Sequence, residues 1–464
     1  MNARKIVDPK RTNQISLGSF DEYTVRRLGR KGKNQDCTVN PENSYEGHLE
    51  DQLHNETHKE NLTSRWLSIW RKERDSNLMV LRMENQTKEP FQSSDMDTKQ
   101  STSDEKGVTG LANMRNTCYM NAALQALRHN TEISAFFLEK KYEHWITKKE
   151  ASPKVELVKG YADLLRSLWS GSHPSYIRPA GFLQTMIPAA NAAGFDQFQI
   201  PMQHDSHEFL TFLLDQLHEG MAEEVSIEIQ RPSPQSDREK AIQSALEAWK
   251  RIFSKQYSPF TEMIYGLLRI TYTCKNCTKH WDTFETFNCL KVPIPKPSGT
   301  VPSMEELLDS ELKEEEVEGF TCEGCKVRGT ILRKPRIWRL PRMILLVLKR
   351  FTPDGRKIHT AISFPKSNSL TFTSIFSPDS PEPSQRQPYE CFATIDHHGI
   401  AGGGHYTAQA KSPLSDKWHM FDDETVSSIG EPRFGEHTYI VFLKPQTQQQ
   451  SSGGDETGSY APSG

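Results

Sequence analysis

A chain of 464 residues with a formal net charge of −3 and a pI near 6.6 is long enough for one large domain with tails, or for two to three average domains. No global basic field marks nucleic acid as a partner, and no run of about eighteen apolar residues marks a membrane span. The start, MNARKIVDPK, has no secretory pattern. The expectation is a monomer that partners neither nucleic acid nor membrane. Eight cysteines, four of them in two C-x-x-C pairs, suit a reducing compartment, cytoplasmic or nuclear, better than a disulfide framework.

Residues 1–107 are polar, charged and poor in periodic apolar runs, and read as a disordered N-terminal extension. Within it RRLGRKGK, residues 26–33, has the composition of a nuclear address and equally that of an ordinary disordered tail. Leu62, Trp66, Ile69 and Trp70 share one face of a possible amphipathic helix over 62–83, able to dock a partner. From 108 to 445 the chain reads as one folded unit, and 446–464 as a low-complexity tail.

The folded part opens on GLANMRNTCYMNAALQAL, residues 110–127. Met120, Leu124 and Leu127 recur at helical spacing, and Asn116 and Thr117 are residue types that cap a first turn, so Cys118 sits at a helix start. The helix dipole and the unpaired N–H groups there favour a thiolate and lower the pKa of a thiol. Cys118 alone reads equally well as a buried structural cysteine. Further helices are expected over 132–145 and 154–169. Another follows in QHDSHEFLTFLLDQLHE, residues 203–219, with Asp205 or Ser206 as N-cap.

The stretch 221–240, with two prolines and many charges, reads as a surface loop, and 241–253 as a helix. YGLLRITYTCKNC, 265–277, alternates as a strand and ends on Cys274 and Cys277. Cys322 and Cys325 follow after 44 intervening residues. Two chelating pairs match a tetrahedral four-thiolate zinc site, with redox disulfides as the competing reading. MILLVL, 343–348, reads as a buried strand, and strands are expected at 362–364, 392–395, 406–410, 418–421 and 438–443. Residues 374–388 form a Ser/Pro-rich insertion. A glycine run delivers His405, and Asp422 and Asp423 follow it. A thiolate, a histidine base and a carboxylate that fixes the imidazole make the triad of nucleophilic catalysis.

The stretches around Cys118 and His405, together with QHDSHEF, LPRMILLVLKRF (340–351) and Phe364-Pro365, resemble, in order, the motifs of the ubiquitin-specific proteases, papain-like cysteine deubiquitinases. That resemblance implies an α+β, papain-like fold with a helical lobe, a mainly antiparallel sheet lobe and a zinc-bearing β finger over about 262–340. It implies hydrolysis at the C-terminal glycine of ubiquitin, with ubiquitin and ubiquitinated proteins as partners. The catalytic residues would be Cys118, His405, Asp422 as the first residue after the motif phenylalanine, and Asn113 as oxyanion donor, with Asp423 auxiliary. Asp205 and Glu208 would face the basic ubiquitin tail. Structural Zn2+ would be held by Cys274, Cys277, Cys322 and Cys325.

Gly403 and Gly404 would let backbone approach backbone at a substrate ending in Gly-Gly, and they suit a flexible hairpin loop as well. Two positions depart from the family pattern. Arg115 stands where a glycine is usual; at a positive φ an arginine costs about 1–2 kcal/mol, which predicts an enzyme about tenfold slower and a risk of displacing Asn113. Ile200 replaces a glycine common before the QHD motif. A ubiquitin-binding scaffold without turnover is the alternative reading. Cleavage of a ubiquitin-like modifier is a third, with the same mechanism.

Overall fold

The computed structural model describes residues 24–28, 107–170, 175–199, 202–230, 233–297, 299–382 and 387–446. In chain order the first part contains β1 (Thr24–Leu28), β2 (Gly110–Leu111), α1 (Cys118–Arg128), α2 (Thr131–Leu138), α3 (Glu143–Ile146), α4 (Pro153–Trp169), β3 (Tyr176–Ile177), α5 (Ala180–Ala192) and α6 (Ser206–Met221). Then come β4 (Ser226–Gln230), α7 (Asp237–Phe253), α8 (Pro259–Ile264), β5 (Gly266–Cys274), β6 (His280–Phe287), β7 (Leu290–Pro293), α9 (Met304–Glu311), β8 (Glu315–Thr321) and β9 (Arg328–Arg339). The chain continues through β10 (Ile344–Lys349), β11 (Ser369–Leu370), β12 (Tyr389–Ile400), β13 (Gly403–Lys411), β14 (Trp418–Asp422), β15 (Thr425–Ile429) and β16 (Thr438–Pro445).

The architecture is α+β, with α1 at its centre. Every residue of α1 is buried, so the apolar stripe at 120, 124 and 127 is only part of what packs. A helix covered on all sides must also satisfy its polar side chains. Gln125 Nε2 donates to the Thr109 carbonyl at 2.9 Å, Arg128 Nη2 to the Gly107 carbonyl at 2.8 Å, and Arg128 Nε to Gln125 Oε1 at 2.6 Å. The Arg128 guanidinium lies 5.0 Å over the Trp169 ring and 5.2 Å over that of Phe421, which joins the end of α1 to both lobes. Truncating Leu124, 1 % exposed, to alanine would cost about 2–5 kcal/mol.

Helix boundaries follow local chemistry. Asn130 caps α2 through the Glu132 and Ile133 N–H groups, Pro153 starts α4, and Asp205 caps α6 through the His207 and Glu208 N–H groups. The single helix expected over 132–145 is two, α2 and α3, because Lys140 turns left-handed with φ 56°. The large sheet runs β15-β14-β13-β12-β16-β10-β7, with β11 on β12; its pairings are antiparallel except β10 with β7. β10, the apolar run, lies inside it. The finger is a second sheet of order β6-β5-β9-β8.

Several expectations fail for tertiary reasons. Ser226–Gln230, inside the stretch read as a loop, is β4. Its Val225–Ile227 side is buried on α7, and its edge pairs antiparallel with β1. Thr24–Leu28 is therefore a strand within the extension read as disordered, because an open edge offers it a ladder of backbone partners. Ile362–Phe364 is not a strand; Ser363 makes one isolated bridge, to Ser303. The insertion after 374 packs on the finger base, where the Ser377 N–H donates to the Ile337 carbonyl at 2.7 Å and the Ser380 hydroxyl to the Trp338 carbonyl at 2.6 Å. The helix over 62–83 and most of the basic cluster lie outside the described residues. Among the described residues no helix is long and apolar enough to cross a membrane.

Candidate active site

Cys118 heads α1, and the loop before it is wound tightly. Arg115 and Asn116 both take left-handed backbone, φ 73° and 56°. Thr117 stands at the N-cap position, yet its hydroxyl does not cap the helix; it accepts the Met114 N–H at 2.8 Å, while the Thr117 N–H donates to Asn113 Oδ1 at 3.1 Å. Cys118 is 2 % exposed, and its sulfur faces the backbone N–H of Tyr406 on β13. Burial pushes the Cys118 thiol up, and Asp423 adds to this; the N–H groups of Tyr406, Tyr119 and Cys118 itself offset only part of it. The expected lowering by the helix end is thus outweighed by desolvation.

β13 carries His405 one residue before Tyr406. His405 Nε2 lies 2.6 Å from Asp422 Oδ1, which leaves Nδ1 as the ring nitrogen not committed to that carboxylate. Asp422 ends β14, and the two-residue hairpin after it, closed by the pair Asp422 and Thr425, holds Asp423 at φ 48°. Asp423 has a carboxylate oxygen within 4.8 Å of His405 and Asp422 but makes its hydrogen bonds elsewhere: Oδ2 accepts Asn113 Nδ2 at 2.8 Å, Oδ1 accepts Asn121 Nδ2 at 2.7 Å, and its carbonyl accepts the Leu111 N–H at 2.8 Å. The two neighbouring carboxylates therefore divide the work. Asp422 orients the imidazole, and Asp423 ties the cysteine loop to the sheet. Arg115 is exposed, and Asn113 keeps its bonds to Asp423 and Thr117 rather than being displaced.

On β12 and β13, Gly404 lies opposite Gly399 and Gly403 opposite Ile400. A Cβ on Gly404 would lie 2.2 Å from the His398 carbonyl oxygen and 2.4 Å from His397 Nε2, whereas one on Gly403 would meet only Gln203 Oε1, at 3.6 Å. Gly404 is thus required by the strand behind it, and Gly403 is free on the cleft side. Asp205 has little left to offer a ligand: Oδ1 caps α6, and Oδ2 accepts the Tyr439 hydroxyl at 2.7 Å. Glu208 is exposed, with Gln197 Nε2 3.0 Å away. Sequence reasoning missed Gln203, whose carboxamide accepts the Gly404 N–H at 2.7 Å and donates to the Gly404 carbonyl. It lay in the QHD motif, but no spacing rule links positions 203 and 404.

At the finger tip four sulfurs converge. Cys274 and Cys325 Sγ are 3.9 Å apart, Cys277 and Cys322 Sγ 3.7 Å, and all four lie within 4.8 Å of one another. A tetrahedral zinc with bonds of about 2.3 Å sets sulfurs about 3.8 Å apart, so the donors fit. Both turns fold alike: the Cys274 N–H reaches the Lys279 carbonyl and the Thr278 N–H that of Cys274, as the Cys322 N–H reaches Val327 and the Lys326 N–H reaches Cys322. Thr278 and Lys326 share left-handed φ. Short approaches run across the two turns instead of within each C-x-x-C. The N–H groups of Cys325 and Gly324 pull the Cys322 thiol down to about 6. At Cys277 the Lys279 N–H is outweighed by desolvation and the hydrogen bonds of the other three thiols, which push it up to about 11, so the four sulfurs share protons that a bound metal would displace.

A buried thiol at a helix start, a histidine and aspartate on the facing sheet, and a four-cysteine finger define a papain-like cysteine peptidase fold. The ubiquitin carboxyl-terminal hydrolase family model matches residues 109–450, and the chain belongs to that family. Rat ubiquitin carboxyl-terminal hydrolase 2 is 29 % identical over 352 residues, 73 % of this chain and 54 % of that protein. Human ubiquitin carboxyl-terminal hydrolase 21 is 26 % identical over 390 residues, 77 % of this chain and 65 % of the relative. The chain spans about half the length of the rat, bovine and human hydrolase 2 proteins it matches. The fold also matches Ubp8 in the SAGA DUB module with Sgf11, Sus1 and Sgf73 bound to monoubiquitin: TM-score 0.58 and 23 % identity, covering 80 % of this chain and 74 % of that one. The same module bound to ubiquitin aldehyde gives a TM-score of 0.57 at 23 % identity, covering 75 % and 71 %.

Proposed function

We propose that the chain is a thiol-dependent deubiquitinase that hydrolyses the peptide or isopeptide bond at the C-terminal glycine of ubiquitin. The observation that carries this is the His405–Asp422 pair at 2.6 Å on the strand whose next residue, Tyr406, turns its N–H to the Cys118 sulfur. His405 removes the thiol proton as Cys118 attacks the glycine carbonyl, and then gives that proton to the departing amine. Water, deprotonated by His405, hydrolyses the thioester. The tetrahedral oxyanion takes hydrogen bonds from the Cys118 N–H and Asn113 Nδ2, and loss of one such donor costs about 2.7–4 kcal/mol. Glu208 offers its carboxylate to the basic tail of ubiquitin, and Gly403 leaves room for a chain without side chains.

Zinc on Cys274, Cys277, Cys322 and Cys325 would close the finger tip in place of a hydrophobic core. A monomer in the cytoplasm or nucleus is the proposed setting, in keeping with the free thiols. The alternative of a scaffold without turnover rested on Arg115 displacing Asn113, and Asn113 keeps its hydrogen bonds. Hydrolysis of ubiquitin carrying a C-terminal fluorogenic amide tests the proposal: wild type turns it over, and Cys118→Ala and His405→Ala fall to background. Equal rates in all three would overturn it, and preference for a ubiquitin-like modifier over ubiquitin would reassign the substrate.

A further inference from the structure

β13 has a free edge where the chemistry happens. Its pairing with β14 begins only at Ala408 and Phe421, so residues 403–407 turn their outer backbone groups away from β12 without a strand partner among the described residues. In a strand every second residue faces the same way. Tyr406 directs its N–H at the Cys118 sulfur, and Gly404, two residues earlier, directs both its N–H and its carbonyl to the Gln203 carboxamide. A carboxamide that accepts from one residue's N–H and donates to its carbonyl imitates an adjacent β-strand. An extended chain laid along this edge at Gly404 would reach Cys118 about 7 Å further on, two residues of strand rise.

We propose that Gln203 is a specificity latch: its carboxamide occupies the backbone-pairing position at Gly404 that the extended C-terminal segment of the substrate takes over. This rests on the proposed function, since it names where that substrate's tail lies. The substitution conserves hydrogen bonds, two for two. A Cβ built on Gly403 would stand 3.6 Å from Gln203 Oε1, an ordinary contact, so the carboxamide lies directly beside that glycine as well. Gln203 itself is exposed, so its bonds are individually weak and easily exchanged. Two large apolar side chains flank the latch, Met202 at 59 % and Ile400 at 69 % exposure, and give an entering tail apolar surface to cover.

The test measures Kd for fluorescent ubiquitin on the full-length chain in a Cys118→Ala background, with and without Gln203→Ala, and KM and kcat for a ubiquitin C-terminal amide with Cys118 intact. Gln203→Ala lowers Kd and KM by about threefold or more. Gln203→Glu, which still accepts the Gly404 N–H but cannot donate to its carbonyl, falls between. Unchanged or weaker binding by Gln203→Ala, or a fall in kcat at constant KM, overturns the latch and makes Gln203 a prop for the His405 strand. Absence of ubiquitin binding to any variant, Gln203 intact or not, overturns the latch together with the deubiquitinase reading. Binding that ignores Gln203 sinks the latch alone. Thermal melts of both variants check that this surface substitution leaves the fold intact.

Discussion

Asp423 and Asn113 are joined side chain to side chain at 2.8 Å although 310 residues separate them. The bond runs from the hairpin behind the imidazole to the loop in front of the nucleophile, and Asn121 Nδ2 holds the other carboxylate oxygen at 2.7 Å. Asp423→Ala is expected to free Asn113 and lower kcat about 10- to 100-fold, while KM changes little, because in the proposed mechanism Asn113 acts when charge develops on the carbonyl oxygen. Steady-state kinetics with a ubiquitin amide checks this. A wild-type kcat would show that the link is structural only.

The two glycines before His405 should behave differently. Gly404→Ala drives a methyl group into the His398 carbonyl and so lowers both the melting temperature and the activity. Gly403→Ala faces open cleft, and is expected to keep the melting temperature while losing kcat/KM. Equal melts and equal rates for both variants would contradict the assignment of one glycine to the strand behind and one to the substrate.

Acid should unfold the domain through its buried histidines. Burial lowers His218 to about 4 and His397 to about 3, and also depresses His129. Below the ordinary value near 6.5 the unfolded chain binds protons that these groups refuse. The stability they contribute is complete above pH 6.5 and drains as pH falls through 4 and 3. Asp396 acts oppositely: burial raises it to about 6, so its contribution is present below about pH 3.9 and is lost as pH rises through 6. The histidines prevail, and stability should fall between pH 6.5 and 4 by about 1.4 kcal/mol per pH unit for each net proton taken up on unfolding, with the melting temperature falling accordingly. His218→Gln should flatten that slope; a melt flat over this range would contradict the account.

Zinc bound by the four sulfurs should be measurable directly. Elemental analysis is expected to find one zinc per chain, lost in Cys322→Ser, and a strong chelator should lower the melting temperature. Metal-free protein that melts the same with and without chelator would return the cysteines to redox chemistry.

The helix at Cys118, the Asp205 cap, the apolar run of β10 and the paired cysteines could be read from local pattern, because each depends on neighbours within a turn or two. The direction of the Cys118 pKa could not. It is set by burial where α1 packs on the sheet, which outweighs the lowering by the Tyr406 N–H and which a dipole argument on one helix does not contain. The role of Gln203 was hidden for the same reason: its partner is 201 positions away. β4 escaped because SIEIQ is short, charged and close to prolines, and only β1 and α7 give it a ladder and a buried face. Arg115 was legible as a departure, and its φ of 73° places the strain of about 1–2 kcal/mol where the glycine was missed.

The most direct measurement is mass analysis of the full-length protein after incubation with ubiquitin bearing a C-terminal electrophile. A single adduct of one ubiquitin on wild type, absent from Cys118→Ala, is the predicted result and joins nucleophile and recognition in one observation. Binding of ubiquitin without an adduct, or an adduct that persists in Cys118→Ala, would contradict it.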